Sequence, residues 1–188
     1  MRYLPKSYLL KLTAALFIIF IISGNCARMG NRKVAESPAQ VYTEVSYYPS
    51  GQQEYSAEYL NGKLDGMNRH WSVDGYLISE SEYSNGKPNG IWKTFHANGK
   101  LKYETNYFHG QKHGEEKWYY ENGQVEREEN YKDGTNVGLW TAYSEDGKKD
   151  GLWKWYYENG QLKSEQKFNY GKPETEIVRW NVDGTILY

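Results

Sequence analysis

Ile91-Trp92-Lys93-Thr94-Phe95-His96-Ala97-Asn98-Gly99-Lys100-Leu101-Lys102-Tyr103-Glu104-Thr105-Asn106-Tyr107-Phe108-His109-Gly110-Gln111-Lys112-His113-Gly114 is a strand-turn-strand unit, and its beat runs through most of the chain. Asn98-Gly99 is a strong hairpin signal, because both residue types tolerate positive φ. Two loops fit it: a two-residue primed turn, or a three-residue type I turn whose glycine forms a bulge. The second pairs Phe95 with Leu101, and the equivalent pairs Trp71 with Leu77, Tyr119 with Val125, Tyr156 with Leu162 and Trp180 with Ile186 are all apolar. The bulged turn is therefore the expected one. After it, Leu101, Tyr103 and Tyr107 alternate with Lys102, Glu104 and Asn106. That period of two describes a strand with one face packed or shared and the other in water.

Working outward, Gly51, Gly75, Gly99, Gly123 and Gly147 follow at steps of 24, and Gly184 lies 24 beyond Gly160. Fixed-period similarity of this kind is the mark of a repeat array. Four residues before each glycine stands an aromatic: Tyr47, Trp71, Phe95, Tyr119, Tyr143, Tyr156 and Trp180. Eight residues after, in the complete units, stands another: Tyr59, Tyr83, Tyr107, Tyr131 and Phe168. Further glycines recur at plus eleven (Gly62, Gly86, Gly110, Gly134, Gly171) and plus fifteen (Gly66, Gly90, Gly114, Gly138). The expected fold is all-β, an elongated open meander of about a dozen short strands with no helix after the head, each unit leaning on its neighbours.

The step from Gly147 to Gly160 is only 13, so one unit lacks a strand. Units fall near 44–66, 67–90, 91–114, 115–138, a shortened 139–151, 152–175 and a partial 176–188. In a meander, direction reverses at every turn. Loss of one strand therefore leaves two outcomes: residues 152–157 pair directly with 139–144 and the later units run flipped, or the sheet breaks in two. Either way, exposure and protease sensitivity are expected to peak at 145–151.

The head, residues 1–25, has Arg2, Lys6 and Lys11, then an uncharged apolar run from Leu12 to Ile22. A basic start, an apolar run too short to span and small residues after it describe a secretory signal. Cys26, the single cysteine, follows at the place where a lipoprotein signal ends. This resembles a lipobox, with departures at Ser23 and Asn25, and the resemblance implies lipidation of Cys26 as the mature N-terminus. Residues 26–40 are polar, contain Pro38 and read as a flexible tether. The expectation is export and anchoring at the envelope, on the outer-membrane or periplasmic side.

Residues 26–188 hold 20 basic and 24 acidic side chains and show no basic stripe, which argues against nucleic acid as a partner. Leu, Ile, Val and Phe are only 23 of those residues, whereas Trp and Tyr add 24. A core of this chain has to be built from rings, with tyrosine hydroxyls left at a wet margin.

Residues Gly151-Leu152-Trp153-Lys154-Trp155-Tyr156-Tyr157-Glu158-Asn159-Gly160-Gln161-Leu162-Lys163-Ser164-Glu165, with Phe168 and Gly171-Lys172, resemble the bacterial variant of the MORN repeat. The resemblance covers about 44–188 and implies a β-hairpin array serving as an interaction platform in exported proteins, some relatives carrying an antitoxin or immunity label. Asn68 and Glu116 depart from it where Trp92, Trp140 and Trp153 hold the slot, and Thr175 replaces a glycine. Those units are expected to be less regular. Trp118-Tyr119-Tyr120-Glu121-Asn122-Gly123 is also similar to choline- and glucan-binding repeats, which build aromatic cages from such hairpins. Those repeats are shorter and lack the second glycine-rich loop.

Catalytic groups would have to depart from the repeat. His109 and His113 fill turn slots held elsewhere by Asn or Asp, His70 and His96 lie on strands, and the acidic residues read as a solvated face. No metal, cofactor or enzymatic activity is expected. Binding is expected instead at rings filling slots in only some copies, Trp118, Tyr120, Trp155 and Tyr157, which if exposed would form one apolar patch. The competing reading is that these rings cover neighbouring loops. The sequence thus points first to a lipid-anchored platform for a protein partner. Its alternatives are a glycan- or cell-wall-binding module and an antitoxin or immunity protein.

Overall fold

A computed structural model describes residues 38–187, so the expected signal segment, Cys26 and most of the expected tether lie outside the described residues. The strands run β1 (Val41–Tyr47), β2 (Gln53–Leu60), β3 (Lys63–Trp71), β4 (Leu77–Ser84) and β5 (Lys87–Phe95). They continue β6 (Leu101–Phe108), β7 (Gln111–Tyr119), β8 (Val125–Lys132), β9 (Thr135–Asn136) and β10 (Gly138–Ala142). The last are β11 (Gly151–Tyr156), β12 (Leu162–Asn169), β13 (Lys172–Pro173), β14 (Val178–Trp180) and β15 (Ile186–Leu187). All fifteen form one antiparallel sheet whose strands follow chain order, with β9 and β13 as short side branches on β8 and β12. The all-β open meander read from the repeat is the fold, and no helix occurs among the described residues.

Two turn types alternate. At one rim, His96 N–H donates to the Lys100 carbonyl and Gly99 N–H to His96, with Gly99 at φ 80°, the bulged type I turn expected from the apolar pairs. At the other rim a two-residue turn has both residues at positive φ: Asn61-Gly62 at 51° and 78°, Asn85-Gly86 at 51° and 79°, His109-Gly110 at 51° and 89°. Asparagine, aspartate and glycine adopt this geometry most readily, which explains Asn61, Asn85 and Asp133 but not His109 or Tyr170, held at φ 51° and 48° in the same slot.

The alternation read for β6 is wrong at its first residue. Phe95 pairs with Leu101 but Thr94 pairs with Tyr103, so Lys102 is an extra bulge residue and the strand changes face there. Tyr103, Thr105 and Tyr107 lie with Trp92 and Trp118, whereas Phe95 and Tyr119 lie on the other face, where the Tyr119 hydroxyl donates to Glu104 at 2.5 Å. The two aromatic classes of the repeat thus occupy opposite faces. That second face also carries the register-matched run Arg69, Glu80, Lys93, Glu104, Lys117, Glu128, alternating in sign, with Arg69–Glu80 and Lys93–Glu80 at 3.7 Å. Half-exposed pairs like these contribute roughly 0.2–1 kcal/mol each.

Neither face is covered by a second layer among the described residues, so one packed and one wet face is not what forms. Most rings on both faces are half-buried by their neighbours on the same face. The deeply buried rings lie just after the shortened unit, where Trp153 is 5% and Phe168 7% exposed.

There β10 pairs directly with β11, Leu139 opposite Trp155 and Trp140 opposite Lys154, so the first of the two expected outcomes holds. The consequence goes beyond strand direction. A hairpin whose strands are reversed while the sheet keeps growing the same way is related to the earlier ones by rotation about an axis in the sheet plane, and that rotation exchanges the faces. Ala142, opposite Arg127, shares a face with Trp118; Leu139, an odd number of residues earlier, points the other way and faces Trp155. On the face of Tyr119 and Tyr143, the later units therefore set Trp153, Trp155 and Phe168. The Tyr143 and Trp153 rings meet edge to face at 5.2 Å, and Trp153 and Phe168 lie 5.5 Å apart.

Exposure does not peak at this junction as expected. The loop at 145–149 is exposed only as other turns are, Gly147 N–H donates to the Ser144 carbonyl as in the other bulged turns, and Lys149 Nζ sits 4.0 Å from the Trp153 ring centroid. Nor are the units at Asn68 and Glu116 irregular, since β3 and β7 are both nine-residue strands. Only the last unit, after Thr175, shrinks to strands of three and two residues. Trp153→Ala is expected to cost about 3–5 kcal/mol in chemical denaturation, against under about 1 for the exposed Ile91→Ala.

Candidate interaction surface

The bulged turns are tied together by one repeated hydrogen bond, at one rim up to the shortened unit and at the opposite rim beyond it, where Gly160 lies against Thr135 and Asn136. Tyr48 Oη donates to the Trp71 carbonyl at 2.9 Å, Tyr120 Oη to Tyr143 at 2.8 Å and Tyr157 Oη to Trp180 at 2.8 Å. His96 makes the same link through Nε2 to Tyr119 at 2.7 Å. Each side chain, three residues before its turn glycine, reaches the carbonyl four residues before the next one. Tyr120 and Tyr157 are thus inter-unit struts. Burial, and then the charges of Glu126, Glu145 and Asp150, push the Tyr120 phenol pKa up.

Trp118 is half-buried between Tyr103, 5.1 Å away, and the Arg127 guanidinium, 3.7 Å over its ring. Trp155, also half-buried, lies 6.3 Å from Trp153. Because the faces exchange at the shortened unit, Trp118 and Tyr120 belong to one face and Trp155 and Tyr157 to the other. The four rings form two separate sites rather than one patch. The constant aromatics Trp71, Phe95, Tyr119, Tyr143, Tyr156 and Trp180 likewise divide: Tyr156 stands opposite Gly138, on the face opposite Tyr143, where burial first and then the charges of Glu129 and Glu165 push its phenol pKa up. Of the histidines, His109 sits in its turn at φ 51° and His113 Nδ1 lies 3.2 Å from Asp133, both at the primed-turn rim.

The acidic residues are not all solvated, and here reading them as a uniform polar face fails. Glu116 has 0% exposure and stands directly opposite Glu129, itself buried. Each carboxylate has its own cation and its own phenol. Glu116 accepts from Lys112 Nζ at 2.5 and 2.7 Å and from Tyr103 Oη, while Glu129 accepts from Tyr131 Oη at 2.6 Å beside Arg127 Nε at 3.3 Å. Lys112 also lies 4.8 Å over the Tyr131 ring. The cluster fills the slot that holds Trp92 one unit earlier. A charge in a ring's slot was the available signal, and Lys112, four residues before Glu116, was its partner.

The phenols record this neighbourhood. Burial first, then the hydrogen bond to Glu116, raises the Tyr103 pKa well above its ordinary value; burial and Glu129 do the same for Tyr131, and burial and Glu104 for Tyr119. A folded-state pKa above the unfolded one adds stability that is complete below about pH 10 and is lost as pH climbs from there toward the raised values. Melting temperature is expected to fall steeply above pH 10, and absorbance titration of Glu116→Gln to show Tyr103 ionising earlier than in the wild type. Glu116→Ala, which strands Lys112 and the Tyr103 hydroxyl, is expected to cost about 3–5 kcal/mol, and the exposed Glu126→Ala under about 1.

Comparison with known proteins agrees with this architecture. No curated protein matches the chain. Three segments, 88–109, 112–133 and 149–170, match the family model of the MORN repeat variant, two before the shortened unit and one beginning in its last three residues.

Proposed function

We propose that the chain is a lipid-anchored, extracytoplasmic scaffold that holds another protein at a bacterial envelope, and that it is not an enzyme. Repeats of the matched kind commonly mediate protein or membrane interactions. The observation that carries the reading is the single layer: a sheet whose strands follow chain order, each face bearing half-exposed rings with no second layer of the described residues over them. Such a surface offers area and rigidity rather than an enclosed site. The basic, apolar head and Cys26 support export and anchoring.

A glycan-binding role fits the geometry less well. Sugar stacking needs open ring faces, but Arg127 lies over Trp118 and Lys149 over Trp153. A toxin held in check would be one kind of protein partner, so that reading is a special case of the scaffold.

Two measurements test the proposal. Mass spectrometry of the native protein is expected to find a diacylglyceryl-modified Cys26 at the N-terminus; an unmodified start elsewhere removes the anchor. Capture from detergent-solubilised envelope is expected to retain a defined protein that Trp118→Ala or Trp155→Ala, each still folded by circular dichroism at the capture temperature, binds about tenfold more weakly. Equal capture by both variants would count against these rings as the contact.

A further inference from the structure

The first strand of the sheet differs from every other strand of its kind. β1 pairs with β2 alone, so its outer edge is free among the described residues. Tyr48 N–H donates to Gln52 and the Gln40 carbonyl accepts from Asn61, so the even-numbered backbone groups of β1 face β2. Those of Val41, Thr43, Val45 and Tyr47 therefore point outward, ready to pair. Sheet edges left unpaired are ordinarily blunted by lysine, proline or a bulge. Val41-Tyr42-Thr43-Glu44-Val45-Ser46-Tyr47 has no lysine, arginine or proline, and the extra residue of its bulge lies on β2.

One substitution within the repeat is decisive. The slot of Val45 is held 24, 48 and 72 residues later by Arg69, Lys93 and Lys117, the cations of the alternating charge run. Lys93 pairs across to Glu80 of the strand before it. Val45 removes that cation at the one first strand with no preceding neighbour. The edge is thus matched to a neutral strand rather than to the glutamate-bearing second strand of a unit. Val41, 76% exposed, and Tyr47 add apolar surface on the same face.

We propose that β1 pairs with β1 of a second copy of this chain, joining two sheets edge to edge about a two-fold axis at Thr43. In that antiparallel register Val41 opposes Val45 and Thr43 opposes Thr43 on one face. On the other, Tyr42 opposes Glu44 and Gln40 opposes Ser46, so no like charges meet. The other end of the sheet offers no comparable edge, because β15 has two residues.

Light scattering of the full chain in detergent, with the detergent mass subtracted, is expected to give two chains per particle. Thr43→Pro deletes an outward N–H without touching the β1–β2 ladder, and Val45→Lys restores the blunting charge. Each is expected to halve the protein mass at unchanged melting temperature. In a Cys26→Ser background, Thr43→Cys is expected to cross-link to itself under mild oxidation. A single-chain mass up to about 100 µM overturns the proposal, since any weaker pairing would be negligible as an edge contact. So does a dimer that survives both Thr43→Pro and Val45→Lys, which would place the contact away from this edge. Masses that grow with concentration, with Thr43→Cys cross-linking to Ile186→Cys, would overturn it in favour of head-to-tail chains.

Discussion

Positive φ at alternate rims is the constraint on which the rest depends. Up to the shortened unit a bulged type I turn closes one rim and a primed two-residue turn the other, beyond it the two types exchange rims, and each fixes the register of the strands it joins. Where the turn residue is not glycine it is Asn61, Asn85, His109, Asp133 or Tyr170, each near φ 50°. Strain at these points is held by neighbours: the Asn85 N–H donates to Asp65 at 2.8 Å, and the Gly86 N–H to the Leu64 carbonyl at 2.7 Å. At Gly66 and Gly90, glycine is required for space as well as conformation. A Cβ at Gly66, where φ is 115°, would lie 2.9 Å from the Glu58 Cβ, and that close approach lets Glu58 accept the Met67 N–H at 2.9 Å. Register is thus set locally, unit by unit, and little long-range packing is needed to define it.

A single-layer sheet cannot bury leucine and valine in the usual way, because nothing closes over them. Rings answer this by lying along the sheet and covering each other, as Trp92 does between Tyr83 at 5.2 Å and Tyr107 at 4.8 Å. Their polar ends then serve as lateral ties, either to a carbonyl of the next unit or to a carboxylate. The Glu116–Glu129 pair shows how far this goes. Two buried acids side by side would repel, yet each is neutralised by a cation and a phenol on the same face, so the slot of a tryptophan is filled by a network of matched polar groups.

Much of this was legible before any coordinates. Glycine spacing named the turns, apolar partners across the loop chose the bulged form, and the 13-residue step narrowed the junction to two outcomes, of which direct pairing of β10 with β11 is the one that forms. The face of Leu101 was not legible, because squeezing Lys102 out of the ladder depends on how Phe95 and Thr94 meet their partners. Burial of Glu116 was half legible: its slot announced it, but the habit of treating carboxylates as solvated hid it. The packing of the junction was hidden for a different reason. Counting strands shows that direction reverses, but only the handedness of the hairpin shows that faces exchange, and the exchange is what brings Tyr143 against Trp153.

The same exchange shapes what the molecule can hold. Within an unbroken repeat, equivalent residues form a row along one face, so a partner could read several copies at once. Here the row is cut at residues 145–151: the side chains following Trp118 in the repeat emerge behind the sheet at Trp155. A rigid partner lying on one face meets the variable rings of the first units but the constant ring Tyr156 of the later ones. A single partner contacting both Trp118 and Trp155 must therefore wrap an edge, and otherwise the two faces act as separate sites. One missing strand has turned a uniform array into a two-sided one.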